Sequence, residues 1–451
     1  MMLRFLYTIL IFFLAFPTFN FAQYKANIDE TMRSILEVRH SYIKKGVVVG
    51  AIVKGNSIEY FSIGDTTNLE TLKQQFFEIG SISKVFTSLL LQTAVTNKEV
   101  SLQDEAIKYF PAGKKAPTFS NQNFTLLHLS NHTSGLVRMP GNFAPKNPMN
   151  PYADYTVEQM YQYLDTTALL YKPGLKSQYS NLGVALLGNI LENKLKASIE
   201  KLWTERIFKP FGMKETFVTV PQKLVGRRSK GYAFSQEMQF WDLPSFAGAG
   251  GIKSTIVDMA TFVQNSLTSN NPFIRNLIAS TSVTTFEESE TMDLGLGWYK
   301  RKRFPKTVLM HSGQTGGFSS FIGLDTLNSV GIVLLTNNTG IVFTDLGQYF
   351  LDTTKIVQEL RPFITVADSV LSKYVGVYKL DESMNLRVTK EESGLFLQAT
   401  GQEKFQLYAH NQWKFFLKVT QADVEFLENK KGIVDRLKLI QGGEYVCKKI
   451  E

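Results

Sequence analysis

Three short motifs in this chain combine residue types that serve nucleophilic catalysis. The first is Ser81-Ile-Ser-Lys84, which lies where a predicted strand (residues 76–79) meets a predicted buried helix (residues 83–95). Residues three apart share one helix face, so the Lys84 amine can approach the Ser81 hydroxyl. A helix N-terminus and burial both disfavour a cation, which lowers the pKa of Lys84 towards use as a base. The Ser81 N–H is placed there to donate to an oxyanion.

The second motif is Tyr179-Ser-Asn181, which puts a phenol and an amide on the same side of an extended turn. A phenolate beside Lys84 could shuttle protons, and the Asn181 amide could orient either a substrate or the lysine. The alternative interpretation is a loop tyrosine that precedes a helix, and this alternative would prevail if the motif stood alone.

The third motif is His311-Ser312-Gly313, followed by Gln314 and adjoining a strand-like run at residues 307–310. A polar triplet that ends in glycine lets a substrate backbone lie against a strand edge, because Gly313 removes a side chain that would block the approach. The alternative is a structural histidine beside an ordinary glycine turn.

The elements that must position these motifs predict an α+β domain. Residues 30–44 have helical spacing, and residues 47–53 and 57–63 alternate around Gly55-Asn56 as a β-hairpin. Strand-like runs return late, at residues 307–310, 319–324 and 331–336, and a helix is predicted around residues 345–360. Helices and Pro/Gly-rich loops fill the middle. This order indicates an antiparallel sheet closed by strands from both ends of the domain.

The pattern changes after residue 362. Seven short strands at regular spacing predict a small all-β barrel or sandwich, with no apolar period of helix length. The predicted strands are residues 374–378, 385–389, 394–398, 405–408, 413–419, 423–427 and 436–440. We therefore expect three parts, namely residues 1–22, 27–360 and 365–451.

Composition narrows the class of protein. The chain has 451 residues, of which 44% are hydrophobic and 20% charged, and this excludes a disordered, collagen-like or polytopic membrane protein. The net charge of +9 is spread without long basic runs, so a nucleic-acid partner is not indicated. The single cysteine, Cys447, excludes an intrachain disulfide framework and a Cys-based zinc site.

Residues 1–22 have the order of an export signal. Arg4 supplies the positive charge, residues 5–16 form an apolar run, and Ala22 precedes the expected cut, which leaves Gln23 as the first mature residue. The run is shorter than the roughly 20 residues of a spanning helix, so we expect a secreted or periplasmic protein without a membrane span after signal removal.

Competing kinds of site have weaker support. His128 and His132 are four residues apart but lack the intervening acidic residue of a His-Glu-x-x-His metal site, which favours packing and capping over metal binding. The sequence contains no Gly-x-Ser-x-Gly elbow, Walker loop or Gly-x-Gly-x-x-Gly. No cofactor, metal or oligomeric state is therefore implied.

Taken together, the three motifs in this order resemble the serine β-lactamase and penicillin-binding-protein superfamily, in particular its branch of class C β-lactamases, D-aminopeptidases and esterases. Residues 125–136, 247–255 and 295–299 add phrases similar to that branch. The resemblance covers residues 27–360, and residues 365–451 resemble the lipocalin-like C-terminal domains of some members.

The resemblance implies a role for each motif residue. Ser81 would be the acylated nucleophile, Lys84 its activating partner, Tyr179 the phenol of the general-base pair and Asn181 the companion amide. The N–H groups of Ser81 and Gln314 would form the oxyanion hole. His311, Ser312, Gly313 and Gln314 would bind the substrate.

One position departs from the lactamase pattern. The β-lactamases of this branch carry Lys-Thr-Gly, and a histidine at the first place, as in His311, is similar to D-aminopeptidases and other non-lactamase members. We therefore expect an acyl-enzyme hydrolase acting on a small molecule or peptide: an amide with a D-residue, an ester or a β-lactam. The alternatives are a class C β-lactamase, a module that is acylated without turnover, and an envelope interaction protein whose barrel holds a ligand.

Overall fold

The computed structural model describes residues 21–451 except 44, 65–67, 304–305, 354–356, 358–360, 362, 383, 393, 403, 419 and 421. The expected export signal lies outside the described residues, apart from Phe21 and Ala22 at the start of the first helix. The chain forms an α+β part followed by a closed β-barrel, as the sequence predicts. Among the described residues, no helix is both long and apolar enough to cross a membrane.

Twelve α-helices are present in the described part of the chain. They are α1 Phe21–Ile43, α2 Leu69–Lys73, α3 Ser83–Thr96, α4 Leu126–Ser130, α5 Val157–Thr166, α6 Asn181–Leu195, α7 Ile199–Trp203, α8 Ala247–Gly250, α9 Ile256–Thr268, α10 Pro272–Thr281, α11 Thr344–Leu351 and α12 Asp368–Leu371. The helix predicted at residues 345–360 is shorter in the structure. It ends at Leu351 because Asp352 is extended and its carboxylate accepts a hydrogen bond from Arg301.

Eight strands form the main antiparallel sheet, in the order β2-β1-β13-β12-β11-β10-β9-β8. Their bounds are β1 Val47–Lys54, β2 Ser57–Gly64, β8 Phe286–Glu287, β9 Met292–Leu294, β10 Tyr299–Arg303, β11 Lys306–Gln314, β12 Ser319–Asp325 and β13 Val330–Thr336. Strand β1 pairs with β13, with Val48 opposite Thr336, so strands from both ends of the domain do close the sheet. The sequence pattern does not predict strands β8, β9 and β10, which lie at one end of this sheet.

Strand β1 is apolar up to its last residue, Lys54, because both of its faces are covered. Val49 and Ala51 face the core that includes helices α3, α6 and α9, whereas Val48 and Ile52 face a second core shared with α1 and α11. Side chains alternate between the two faces of a strand, so a strand buried on both sides needs no polar positions. The sheet therefore lies between two helical layers. The C-terminal part of β11 contains the third motif, residues 311–314.

Two smaller sheets form in the described residues between the strands at either end of the main sheet's chain segment. Strands β3 Phe77–Glu78, β7 Lys253–Ser254 and β4 Thr216–Phe217 form one of them, and β5 Gly231–Ala233 and β6 Gln236–Met238 form a hairpin. Strand β3 leads directly into the turn that carries Ser81.

Eight strands close the C-terminal barrel, one more than the seven predicted. They are β14 Gly376–Lys379, β15 Asn385–Glu391, β16 Gly394–Ala399, β17 Lys404–Ala409, β18 Lys414–Leu417, β19 Asp423–Glu428, β20 Val434–Ile440 and β21 Glu444–Lys449. The missed strand, β21, pairs with both β20 and β14 and so closes the barrel. Its side chains are mostly exposed, which hides the apolar alternation, and only Cys447 is buried in the barrel core.

Candidate active site

Ser81 lies in a single 3-10 turn, Gly80–Ile82, between strand β3 and helix α3. The turn begins at Gly80, whose φ of +50° is a conformation that side chains other than glycine rarely adopt. A Cβ at Gly80 would lie 2.7 Å from the backbone N of Gln314, so the turn and the end of β11 are in contact. This close approach brings the backbone of Ser81 and Gln314 to the same place.

Lys84 is fully buried behind Ser81. Its Nζ lies 2.9 Å from Oγ of Ser81 and donates to the carbonyl oxygen of Ala249 at 2.7 Å. Burial, and secondarily the positive charge of Arg138, lower the pKa of Lys84 well below its usual value. An uncharged amine has a lone pair, so Lys84 can accept the Ser81 proton while an N–H bonds to Ala249.

Tyr179 completes a three-residue cluster with Ser81 and Lys84. The centroid of its ring is 4.8 Å from Nζ of Lys84 and 4.9 Å from the guanidinium carbon of Arg138. Burial raises the pKa of the Tyr179 phenol well above its usual value, and a hydrogen bond with Ser81 offsets only part of that rise. The free protein therefore holds a neutral phenol rather than the phenolate considered from the sequence.

Asn181 begins helix α6, behind Ser180, whose Oγ accepts a hydrogen bond from the Gly183 N–H and caps the helix. The Asn181 amide faces the cleft, and its Nδ2 lies 3.6 Å from the sulfur of Met139. Its Oδ1 is buried and has no hydrogen-bond partner among the described residues. Because an unpaired buried carbonyl is costly, rotation of the amide that turns this oxygen to the cleft would let it accept an N–H from a ligand.

The third motif lies within strand β11 rather than beside it, and Ser312 and Gln314 line the cleft. Gly313 is needed for a reason that differs from the expected one. A Cβ at Gly313 would lie 2.0 Å from the carbonyl oxygen of Ile79. The absent side chain makes room for the segment that carries Ser81, not for a substrate.

His311 is buried at the floor of the cleft, and its Nδ1 lies 2.7 Å from the carbonyl oxygen of Ser312. Burial and the nearby Lys84 lower the pKa of His311 to about 3, while the hydrogen bond with Ser312 raises it slightly. The imidazole is therefore neutral at pH 7, and it supplies no positive charge at the position where lactamases carry a lysine.

The motif residues border one cleft of about 800 Å³. Ser81, Tyr179, Asn181 and the four residues 311–314 all line it, whereas Lys84 lies beneath its surface. The structure thus brings together every sequence-predicted site residue. A buried amine lies next to the serine hydroxyl, and a phenol ring lies against that amine. Such a cluster can take the proton from the hydroxyl that attacks the substrate.

Comparison with known proteins identifies the family of the larger part of the chain. A sequence profile of the beta-lactamase family matches residues 27–349. The chain belongs to the beta-lactamase family. A second profile, for a domain of unknown function called DUF3471, matches residues 360–445 and covers most of the barrel.

Relatives within the beta-lactamase family include peptidases and penicillin-binding proteins. Penicillin-binding protein 4* of Bacillus subtilis is 24% identical over 88% of this chain and 92% of its own. The D-alanyl-D-alanine-carboxypeptidase/endopeptidase AmpH of Escherichia coli is 27% identical over 70% of this chain and 86% of its own. The structure of the octameric penicillin-binding protein homologue from Pyrococcus abyssi, 20% identical, superposes with a TM-score of 0.66 over 93% of this chain and all of that one. That likeness concerns the fold.

The cleft is also lined by residues that the sequence motifs did not single out as site residues. Arg138, Tyr152, Trp241 and Tyr299 line it. Arg138 follows the phrase at residues 125–136, and Tyr299 ends the phrase at residues 295–299. Proximity to these phrases is the signal that could have found both residues.

A second buried charge cluster lies behind Gln314. Glu78 accepts hydrogen bonds from the Thr315 hydroxyl at 2.7 Å and from the Trp241 N–H at 2.6 Å. Lys253, directly opposite Glu78 in the pairing of β3 with β7, donates to the Trp241 carbonyl at 2.8 Å. This cluster fixes the residue that follows Gln314 and the loop that carries Trp241.

The two histidines of the phrase at residues 125–136 support the backbone. His128 caps helix α4, because its Nδ1 accepts a hydrogen bond from the Thr125 N–H. His132 accepts one from the Ser180 N–H at 3.2 Å, and its ring lies 4.5 Å from the Tyr179 ring. The expected packing and capping roles are observed, and in the described part of the chain no cluster of three or more metal-ligating side chains forms.

Proposed function

We propose that this protein is an exported serine hydrolase that acts through an acyl-enzyme. The observation that carries the proposal is Lys84, a buried amine 2.9 Å from the Ser81 hydroxyl and without a carboxylate partner among the described residues. Burial lowers the pKa of an amine in such a place, which favours its neutral form and lets it serve as a base.

In the first step, the Ser81 proton moves to Lys84 while Oγ forms a bond to the substrate carbonyl carbon. The developing oxyanion takes hydrogen bonds from the N–H groups of Ser81 and Gln314, each of which contributes about 10²–10³ in rate. Tyr179 gives its proton to the leaving nitrogen or oxygen and recovers one from Lys84. Water then attacks the acyl-enzyme and releases the acid.

The substrate class that we propose is a peptide amide with a D-residue, a related ester or a β-lactam. The unpaired Oδ1 of Asn181 favours an acyl group with an amide N–H, because that N–H would satisfy the buried oxygen. Relatives named as a penicillin-binding protein and as a D-alanyl-D-alanine-carboxypeptidase/endopeptidase support this class. The neutral His311 favours peptidase or esterase activity over efficient β-lactamase activity.

Export is supported by the order of residues 1–22, with Arg4 ahead of an apolar run. Mass mapping of protein collected from the medium or periplasm should give a mature chain that begins at Gln23. Residues 1–22 retained in a membrane fraction would contradict this localisation.

Intact-mass measurement tests the nucleophile. After treatment with a fluorophosphonate or with penicillin, the protein should gain one adduct, and Ser81→Ala should gain none. Ser83→Ala is the matched control, since it removes a serine two residues away within the same segment and should still be labelled. Labelling of Ser81→Ala at another serine would overturn the assignment.

Turnover then separates the alternatives. Nitrocefin, p-nitrophenyl esters and D-amino-acid anilides should reveal hydrolysis with release of the adduct. Rapid adduct formation with no release on any substrate would indicate a module that is acylated without turnover. Fast nitrocefin hydrolysis alone would indicate a β-lactamase.

A further inference from the structure

The cleft has an unusual charge composition. In the described part of the chain its lining contains no Asp, Glu or Lys, and its two basic residues are Arg138 and His311. His311 is neutral because its pKa falls to about 3. Arg138 is therefore the single charged side chain that the described lining presents to a ligand at pH 7.

The backbone of Arg138 is held firmly. Its carbonyl oxygen accepts hydrogen bonds from the N–H groups of Asn181 and Leu182, at 3.0 and 3.2 Å, at the start of helix α6. Its side chain is exposed, with the guanidinium against the ring of Tyr179. The cation therefore lies against the Tyr179 ring and remains accessible from solvent.

Arg138 has no acidic partner among the described residues, unlike Arg206 and Arg227, which bind Glu99 and Glu215. Glu288 is an acidic residue whose charge acts on Tyr299 of the cleft, but its carboxylate accepts a hydrogen bond from Ser177 and does not line the cleft. A guanidinium without a partner keeps its fork of donors available for a carboxylate, which it binds with two parallel hydrogen bonds.

We propose that Arg138 is the specificity-determining residue of the cleft and binds a carboxylate of the substrate. This inference rests on the proposed hydrolase function and assigns to Arg138 the charge that His311 does not provide. It also opposes an aminopeptidase activity, because a substrate with a free ammonium group would meet a cation and no anion in the described lining.

Matched ester pairs test the assignment and locate the carboxylate. One pair has it on the acyl group, as glutaric acid mono-p-nitrophenyl ester against methyl p-nitrophenyl glutarate. The other has it on the leaving group, as N-acetyl-D-alanyl esters of 3-hydroxybenzoate against 3-hydroxybenzamide. In Arg138→Gln the ratio of kcat/KM for the anionic over the neutral ester should fall on the order of 10-fold in at least one pair, about one charge-assisted hydrogen bond.

Two further variants serve as controls. Arg138→Lys keeps the charge but loses the fork, so the ratio should lie between those of Arg138→Gln and the unaltered protein. Arg387→Gln removes one positive charge from the barrel, at a side chain that is 56% exposed and outside the cleft lining, and should leave the ratio unchanged. An unchanged ratio in both pairs for Arg138→Gln, or an equal loss for anionic and neutral esters, would overturn the proposal.

Binding separates this proposal from the hydrolase proposal itself. Ser81→Ala should be titrated calorimetrically with N-acetyl-D-alanyl-D-alanine and with the C-terminal amide of the same dipeptide. Preference for the free acid that disappears in Ser81→Ala/Arg138→Gln would support Arg138 even if no substrate is turned over. Equal binding of acid and amide, with both ester ratios also indifferent to Arg138, would reject the role of Arg138 and leave the hydrolase intact.

Discussion

Lys84 and Lys253 are both buried, 1% and 5% exposed, yet their surroundings differ in one respect. Lys253 lies opposite Glu78, whose negative charge opposes the fall in pKa that burial causes. Lys84 has the positive Arg138 nearby, which deepens the same fall. Burial lowers the pKa of both lysines, and the sign of the nearby charge determines whether that fall is opposed, as at Lys253, or deepened, as at Lys84.

The difference assigns distinct tasks to the two regions. The Glu78–Lys253 region holds the Trp241 loop and Thr315 in place, and its charges offset each other. The Ser81–Lys84 region contains an amine whose charged form is unfavourable, so its neutral form is available for chemistry.

The largest effect should come from Lys84→Met, which removes the base with little change in volume. We expect kcat to fall by about 10²–10⁴, the usual contribution of a positioned base, with little change in the free energy of unfolding. Tyr179→Phe should lose at least about 10², and the double variant little more, since residues that act as one unit are not additive. Steady-state kinetics on a neutral ester measure these losses. If the loss in the double variant equals the product of the two single losses, the two residues act independently.

Lys253→Met should instead affect stability. It removes the hydrogen bond to the Trp241 carbonyl and the positive charge that faces Glu78, so we expect a loss of about 1–3 kcal/mol in the free energy of unfolding. Glu78→Gln/Lys253→Met should recover much of this loss, because neither charge is then left alone. Denaturant unfolding measures both values. If Lys253→Met and Lys84→Met had the same free energy of unfolding, the proposed difference between the two lysines would be wrong.

His311→Lys adds a buried lysine to the cleft, whose described lining contains no carboxylate. The shorter histidine is neutral, so lysine would add charge where lactamases have it. We expect kcat/KM for a carboxylate-bearing lactam to rise on the order of 10-fold relative to an uncharged ester. Efficient nitrocefin hydrolysis by the unaltered protein, with no response to this substitution, would contradict the expectation.

The smallest effect concerns pH. Since neutral Lys84 is the active form, kcat/KM for a neutral ester should rise with pH through the pKa of Lys84, well below the usual lysine value. Arg138→Gln removes one cause of that low pKa, so the rising limb should move to higher pH. The shift should be under about one unit, because an exposed charge is screened by solvent. Arg387→Gln should not move the limb, and a shift to lower pH in Arg138→Gln would contradict the sign.

Much of the fold was predictable because its signals are local. The hairpin around Gly55-Asn56, the buried helix after Ser81 and the barrel alternation follow from neighbouring residues, and helix α3 begins at Ser83 as predicted. Strands β8 to β10 and β21 were missed because exposed or charged side chains dominate them. Tertiary pairing, not local propensity, makes those segments strands.

The site divides in the same way. The spacing within each motif predicts that Ser81 lies near Lys84 and Tyr179 near Asn181, whereas the fold brings the two motifs together. The sequence did not indicate Arg138, because a single arginine forms no motif. Its proposed role depends on the absence of other charged side chains from the described cleft lining. The role of Gly313 was also misjudged, since only the fold shows that Ile79 occupies the space beside it.

The pairing of β1 with β13 joins residues from nearly opposite ends of the domain, with Gly50 opposite Leu334. During synthesis, the hairpin of β1 and β2 can therefore pair with β13 only after almost the whole domain has left the ribosome. A topology of this kind has high contact order and folds slowly. For a protein that we propose to be exported, this delay is useful, because a chain that cannot complete its sheet early stays extended long enough to be threaded through a membrane pore.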